Sequence, residues 1–227
     1  MRVNVKLLAR QTIGLLLLLL LALFLPAGTL AWLAGWVYIV LFFGFFLAMN
    51  TWLFRRDPGL LEERLHLATP DQQGWDKLLF PLISVFPAAL LVFAALDAVR
   101  FRWSPLPLWL QVVGAMLLLF SFFLFFLTFR ENSYLSPVVR LQKERGQTVI
   151  STGPYHYVRH PMYAGIVAFA VGTPLMLGSG YGVLLALILV VLTVRRAILE
   201  ERTLRRELPG YEAYMAEVKY RLIPHVW

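Results

Sequence analysis

The stretch Thr152-Gly153-Pro154-Tyr155-His156-Tyr157-Val158-Arg159-His160-Pro161-Met162-Tyr163-Ala164-Gly165 sets a polar, proline-punctuated segment against the start of a long apolar run. Polar side chains at such a boundary are costly when they face lipid or lie buried without partners, so they need something to bind. Read together with Glu200-Glu201, which follow the next apolar run, the stretch points to a membrane-embedded bundle with chemistry at one face.

The apolar content outward from this stretch supports the first half of that reading. The chain has 227 residues, 59% hydrophobic and only 15% charged, with a mean hydropathy of +0.70. A soluble domain is usually closer to ~45–50% apolar and ~25% charged. The excess is gathered into blocks, and a spanning helix needs about 20 such residues. Six apolar segments stand out, over 12–25, 30–54, 78–98, 106–129, 162–177 and 181–194. The expected fold is an all-α polytopic helix bundle of five to six transmembrane segments. It divides into a four-span region over 1–129 and a C-terminal part over 130–227. Gly178-Ser179-Gly180 splits the last two segments, which read either as two tilted spans or as a bent hairpin. Arg2, Lys6 and Arg10 ahead of the first apolar block resemble a signal peptide. With no small-residue cleavage site after it, a retained first span is expected.

Charge sets the orientation. With both termini on one side, 19 of the 21 Lys and Arg fall on that side and only Arg100 and Arg102 on the other. The positive-inside tendency makes the rich side cytoplasmic, at the cell inner membrane. Twelve of the 13 acidic residues lie there too, Asp97 being the exception, as do all four histidines. The net charge of +8 then reads as contact with anionic lipid, and no motif for nucleic acid accompanies it. Without a single cysteine, disulfides, thiolate metal sites and a cysteine nucleophile are excluded. No acidic or basic side chain sits mid-span, which disfavours an ion-coupled transporter.

The cytoplasmic segments supply the reactive groups. The loop 55–77 reads as a solvated connector with a short amphipathic helix. Val149-Ile150 reads as a short extended piece before the turn at Gly153-Pro154. His156 and His160 are four apart, but Pro161 biases His160 away from helical geometry and no third ligand follows, so a metal is not expected. Pro161 suits the first turn of a helix instead, placing His160 and nearby amides at a helix N-terminus that favours anions. The other reading of Tyr155, Tyr157 and Tyr163 is an interfacial aromatic belt. Arg196 to Glu200 and Glu201 to Arg205 are i,i+4 pairs typical of an exposed helix. The other reading is that span six continues past the membrane and carries Glu200 or Glu201 back over the His160 region. Tyr211, Tyr214, Met215, Val218 and Leu222 recur at helical spacing and suggest a final amphipathic helix.

Asn132-x-Tyr134, Gly153-Pro154-Tyr155-x-x-Val158-Arg159-His160-Pro161-x-Tyr163-x-Gly165 and Glu200-Glu201-x-x-Leu204 together resemble the isoprenylcysteine carboxyl methyltransferase family. So do Gly210-Tyr211-x-x-Tyr214 and Tyr220-Arg221-Leu222-x-Pro224. The resemblance covers about residues 130–227 and leaves the first four spans unmatched. It implies an integral-membrane enzyme using S-adenosylmethionine without a Rossmann fold, its cofactor pocket on the cytoplasmic side of the C-terminal half. Matched positions imply cofactor contact by Tyr155, His160, Pro161 and Tyr163, with Val149 on the adenosine side. Glu200 or Glu201 would recognise the amino group. Family members often have His where this chain has Gln147, an amide that can hydrogen-bond but not titrate. Arg196 is expected to hold an acceptor carboxylate, with Glu200 beside it. The implied partner is a lipophilic small molecule or lipidated peptide, such as a prenylcysteine carboxylate. A phospholipid amine is the alternative acceptor, and a non-catalytic or transporting membrane protein the alternative class.

Overall fold

The computed structural model describes residues 3–66 and 69–227, so Arg2 lies outside the described residues. The chain forms eight α-helices within that range: α1 (Val5–Ala27), α2 (Leu33–Arg56), α3 (Pro58–Leu65), α4 (Asp76–Ala95), α5 (Leu108–Glu131), α6 (Pro161–Leu177), α7 (Gly180–Glu207) and α8 (Tyr211–Glu217). It is a polytopic all-helical bundle with no strand among the described residues, so Val149-Ile150 lies in a loop without β pairing. Five helices (α1, α2, α4 with its following turn, α5 and α7) are long and apolar enough to cross a membrane. α6 has 17 residues and is about 26 Å long, a little short of a ~30 Å hydrocarbon core.

Local signals set the helix ends. Asn4 caps α1 by accepting from the Leu7 amide at 3.0 Å, and Gly28 closes it in the left-handed conformation at φ 70°. Asp57 caps α3 through the Leu60 amide at 2.9 Å, just ahead of Pro58. α6 and α7 are two helices joined by a tight turn and packed against each other. Gly178 ends α6 at φ 83°, and Ser179 caps α7 through the Gly182 amide at 2.9 Å.

At the end of the bundle near Ser179, a π-helical turn over Leu96–Arg100 follows α4 and carries Asp97, which is fully buried. Its carboxylate accepts from the Ser104 amide at 2.9 Å, the Ser104 hydroxyl at 2.6 Å and the Ser179 hydroxyl at 2.5 Å. One acidic side chain thus fastens the α4–α5 connection to the α6–α7 turn.

The opposite end gathers both termini and the long loops. The Asn4 amide donates to Glu62 of α3 at 2.8 Å, the Gln73 amide to Val139 at 2.9 Å, and the Arg159 amide to Tyr220 at 2.9 Å. This common face is the one that holds the basic majority of the sequence.

The core joins α1, α2, α4, α5 and α6 through Leu19, Leu23, Phe24, Tyr38, Ile39, Leu91, Leu118, Phe122 and Leu177. α5 and α6 approach most closely, because small residues let their backbones meet. A Cβ on Gly114 would stand 2.2 Å from the Met176 nitrogen, and one on Gly172 3.0 Å from the Gly114 carbonyl oxygen. The Ser121 hydroxyl donates to the Gly165 carbonyl at 2.9 Å across the same interface. Gly114→Val therefore has to push the helices apart. It is expected to lower the unfolding temperature in detergent by roughly 5 °C or more, whereas Gly44→Val, with open space around it, should leave it unchanged.

Candidate functional site

A cavity of about 270 Å³ lies at the face that holds both termini, walled by the 132–160 loop, α3, α4, α6, α7 and α8. Gln147, Val149, Tyr155, His160, Tyr163, Arg196 and Glu200 all line it. Residues far apart in the chain therefore meet around one space.

The 132–160 loop is built rigidly. Asn132 ends α5, accepts from the Tyr134 amide at 2.8 Å and donates to the Tyr155 hydroxyl at 2.8 Å. Gln142 is fully buried, donating from its side chain to the Tyr134 carbonyl at 2.7 Å and accepting from Arg145 at 2.6 Å. The Gln147 amide oxygen accepts from the Gln142 backbone at 2.8 Å. The amide at that position thus closes the loop while facing the cavity. At the turn, Gly153 has φ 58°, and a Cβ there would meet the Glu131 side chain at 2.4 Å. Only glycine fits this combination of sign and space.

Pro161 opens α6 with His160 as its N-cap residue. The amides of Arg159 and His160 do not face an anion: they donate to the carbonyls of Tyr220 and Arg221, each at 2.9 Å. The C-terminal strip occupies the place where the sequence suggested a ligand. His160 is 5% exposed, and its Nε2 has no hydrogen-bond partner although the Glu201 carboxylate lies 3.5 Å away. His156 is exposed and belongs to a different surface from His160. Tyr155 and Tyr163 are buried in the cavity wall, not in a lipid belt, and only Tyr157 is exposed.

Helix α7 distributes its charged groups to distant partners instead of pairing them along itself. Arg196 bonds Asp76 through Nε at 2.8 Å and Nη2 at 3.2 Å, and gives a further bond to the Pro137 carbonyl at 2.7 Å. Asp76 is fully buried and also accepts from the Val139 amide at 2.8 Å. Glu200 is half-buried and accepts from the Tyr163 hydroxyl. Glu201 bonds Arg159 at 2.9 Å and Arg221 at 3.0 Å, and it is absent from the cavity lining, as is Pro161. Arg205 reaches Glu212 of α8. Two of the four groups in the expected i,i+4 pairs are buried and half of the rest face the cavity. Long-range partners satisfy them better than a neighbour one turn away.

The 55–77 loop is more than a connector. Glu63 receives Arg140 at 3.0 Å. Burial alone would raise the Glu63 carboxyl, but the hydrogen bonds from Arg140 and Ser136 win and hold it below the usual carboxylate range. Arg64 and Phe80 reach the cavity wall from this region. Sequence reasoning missed Asp76, Arg64 and Arg159. The available signal for Asp76 was an acidic residue directly before an apolar helix.

Burial also pushes up the phenols of Tyr155, Tyr211 and Tyr214, so they line the cavity as neutral hydrogen-bonding groups. The Tyr211 hydroxyl, like His160 Nε2, has no partner within the protein. The cavity therefore offers one carboxylate, that of Glu200, and an apolar side at Val149, Leu204 and Leu208. No group of residues able to hold a metal occurs among the described residues.

A second hollow of about 1000 Å³ lies on the far side of the same 153–161 segment. Leu124, Leu127, Val167, Val171 and Ile223 give it a largely apolar wall, with Arg130, His156 and Tyr157 at one end.

The family model described as phospholipid methyltransferase matches residues 109–209, from α5 through α7 and including the 132–160 loop. A comparison with curated proteins gives no match.

Removing one partner of the Asp76–Arg196 pair leaves a buried charge, at a cost of roughly 3–5 kcal/mol. Asp76→Leu and Arg196→Met should each lower the unfolding free energy in detergent by about that much. The double variant should recover most of the loss; simple additivity in the double variant would contradict the pairing.

Proposed function

We propose that the chain is an integral-membrane methyltransferase that uses S-adenosylmethionine and acts on a lipophilic acceptor at the cytoplasmic face. The observation that carries this reading is the convergence of Tyr155, His160, Tyr163 and Glu200 on one cavity, all inside the stretch matched by the methyltransferase family model.

The donor set fits such a cofactor. Glu200, oriented by the Tyr163 hydroxyl, is the carboxylate available for an ammonium group. His160 and Tyr211 stand in the same wall as candidate contacts for the rest of the cofactor. Val149, Leu204 and Leu208 provide the apolar side for an adenine ring, with Gln147 at its rim. When bound, S-adenosylmethionine supplies an electrophilic methyl group on a sulfonium, which a carboxylate oxygen can accept without any proton changing hands.

The protein's own contribution is then placement and exclusion of water, and effective molarity alone can supply ~7–11 kcal/mol. Arg196 presents a guanidinium already compensated by Asp76, so it directs hydrogen bonds into the cavity wall without adding net charge. That suits an anionic nucleophile, whose reactivity a bare ion pair would damp. Glu201 and Pro161 act as positioning residues in this reading. Glu201 holds Arg159 and Arg221, which in turn hold the C-terminal strip, and Pro161 fixes the direction of α6 behind His160.

The acceptor in the first reading is a prenylcysteine-like carboxylate. The second reading, a phospholipid amine, draws on the family match. An amine must lose a proton, and His160 is the imidazole in the cavity wall that this reading would use. Membranes containing the protein, given methyl-labelled S-adenosylmethionine, should yield a labelled lipid or lipidated peptide. Base-labile label identifies an ester and base-stable label an amine; absence of any label together with absence of calorimetric binding would overturn the proposal. Glu200→Gln and His160→Ala should each weaken calorimetric binding by ~10-fold or more. Glu201→Gln should weaken it too, but with a lowered unfolding temperature that Glu200→Gln does not show.

A further inference from the structure

Four guanidinium groups line the cavity, those of Arg64, Arg140, Arg159 and Arg196, and among the described residues only Arg64 has no carboxylate partner. Arg196 is matched by Asp76. Arg64, reaching in from α3, donates Nη1 to the Leu135 carbonyl at 2.9 Å and lies 4.6 Å from the centre of the Phe129 ring. No carboxylate pairs with it among the described residues. Burial, reinforced by the like charge of Arg196, draws the Arg64 pKa down to about 10, still a cation at neutral pH. A carbonyl and a ring face leave most of its five donors free.

Its surroundings are those of a lipid head group. The backbone of α3 rests on Leu60, Leu61, Leu53 and Phe129, a cluster that Met162 and Leu135 extend toward the cavity. The guanidinium thus sits where an apolar wall meets the polar face, the level at which the anionic oxygens of amphiphiles lie.

We propose that Arg64 is the anion contact of the acceptor: it holds a carboxylate or phosphate oxyanion on the polar end of a lipophilic molecule whose tail follows the apolar wall. This deepens the methyltransferase reading and rests on it. An oxyanion here pairs the guanidinium that lacks a carboxylate partner and fills its fork geometry. In the carboxylate reading the anion is the group to be methylated; in the amine reading it is the neighbouring phosphate.

The test compares amphiphiles that differ in charge, titrated calorimetrically into the purified full chain in neutral maltoside micelles. One pair is N-acetyl-S-farnesylcysteine and its methyl ester; the other is dioleoyl phosphatidic acid and dioleoylglycerol. The wild type is expected to bind the anionic member of at least one pair ~10- to 100-fold more tightly than the neutral member. Preference in the farnesyl pair identifies a carboxylate, and in the glycerol pair a phosphate. Arg64→Gln should abolish the preference while S-adenosylmethionine binds as before. Equal binding within both pairs, or a preference that survives Arg64→Gln, overturns the proposal. Should Arg64→Gln fail to fold, phenylglyoxal modification of the wild type decides: the anionic amphiphile must protect Arg64 and the neutral one must not. Wild-type protein that prefers the anion but does not bind S-adenosylmethionine would sink the methyltransferase reading and leave the anion site standing.

Discussion

The buried pair of Asp76 and Arg196 is the constraint on which the cavity depends. Asp76 opens α4, Arg196 lies in the second half of α7, and the carbonyl of Pro137 and the amide of Val139 complete the junction. Three chain segments are thus referred to one carboxylate and one guanidinium. Charges taken out of water must be matched closely, so the loop between α5 and α6 has little freedom to drift away. The cavity is open space bounded by groups that cannot move independently.

A second cluster works in parallel. Glu201 draws Arg159 and Arg221 together, and Arg159 in turn bonds the carbonyls of Val218 and Lys219 at 2.7 and 2.8 Å. The adjacent glutamates of α7 therefore serve different ends. Glu201 is enclosed by cations that organise the C-terminal strip, while Glu200 keeps its carboxylate toward the cavity with one phenol for company. Consecutive residues on a helix point about 100° apart, and that angle alone separates a fastening group from an exposed one.

Much of the fold was legible because membrane helices announce themselves. The apolar runs located every long helix, and the glycines at 28 and 178 marked two helix ends. α7 runs on from its apolar part through Glu207, as the helical spacing of Arg196, Glu200, Glu201 and Arg205 suggested, while α1 begins earlier than its apolar run, at Val5. Residues of the segment 152–165 and Glu200, singled out in the sequence, do meet around one cavity. Local spacing misled at Arg196 and Glu201, which looked like members of exposed i,i+4 pairs. Nothing within a few residues of Arg196 reveals that Asp76, 120 positions away, is its partner. For the same reason the 55–77 loop looked like a solvated connector, although it supplies Arg64 to the cavity wall and leads into Asp76. Pairings of this kind are decided by topology, and only the packed chain displays them.

The segment from Gly153 to Pro161 is a partition one chain thick. Tyr155, Arg159 and His160 turn toward the polar cavity, while Pro154, His156, Tyr157, Val158 and Pro161 border the apolar hollow behind it. With no second layer between the two compartments, any shift of backbone that enlarges one encroaches on the other. The shape of the apolar hollow and the shape of the polar cavity are set by the same few torsion angles. The protein cannot retune either chamber alone.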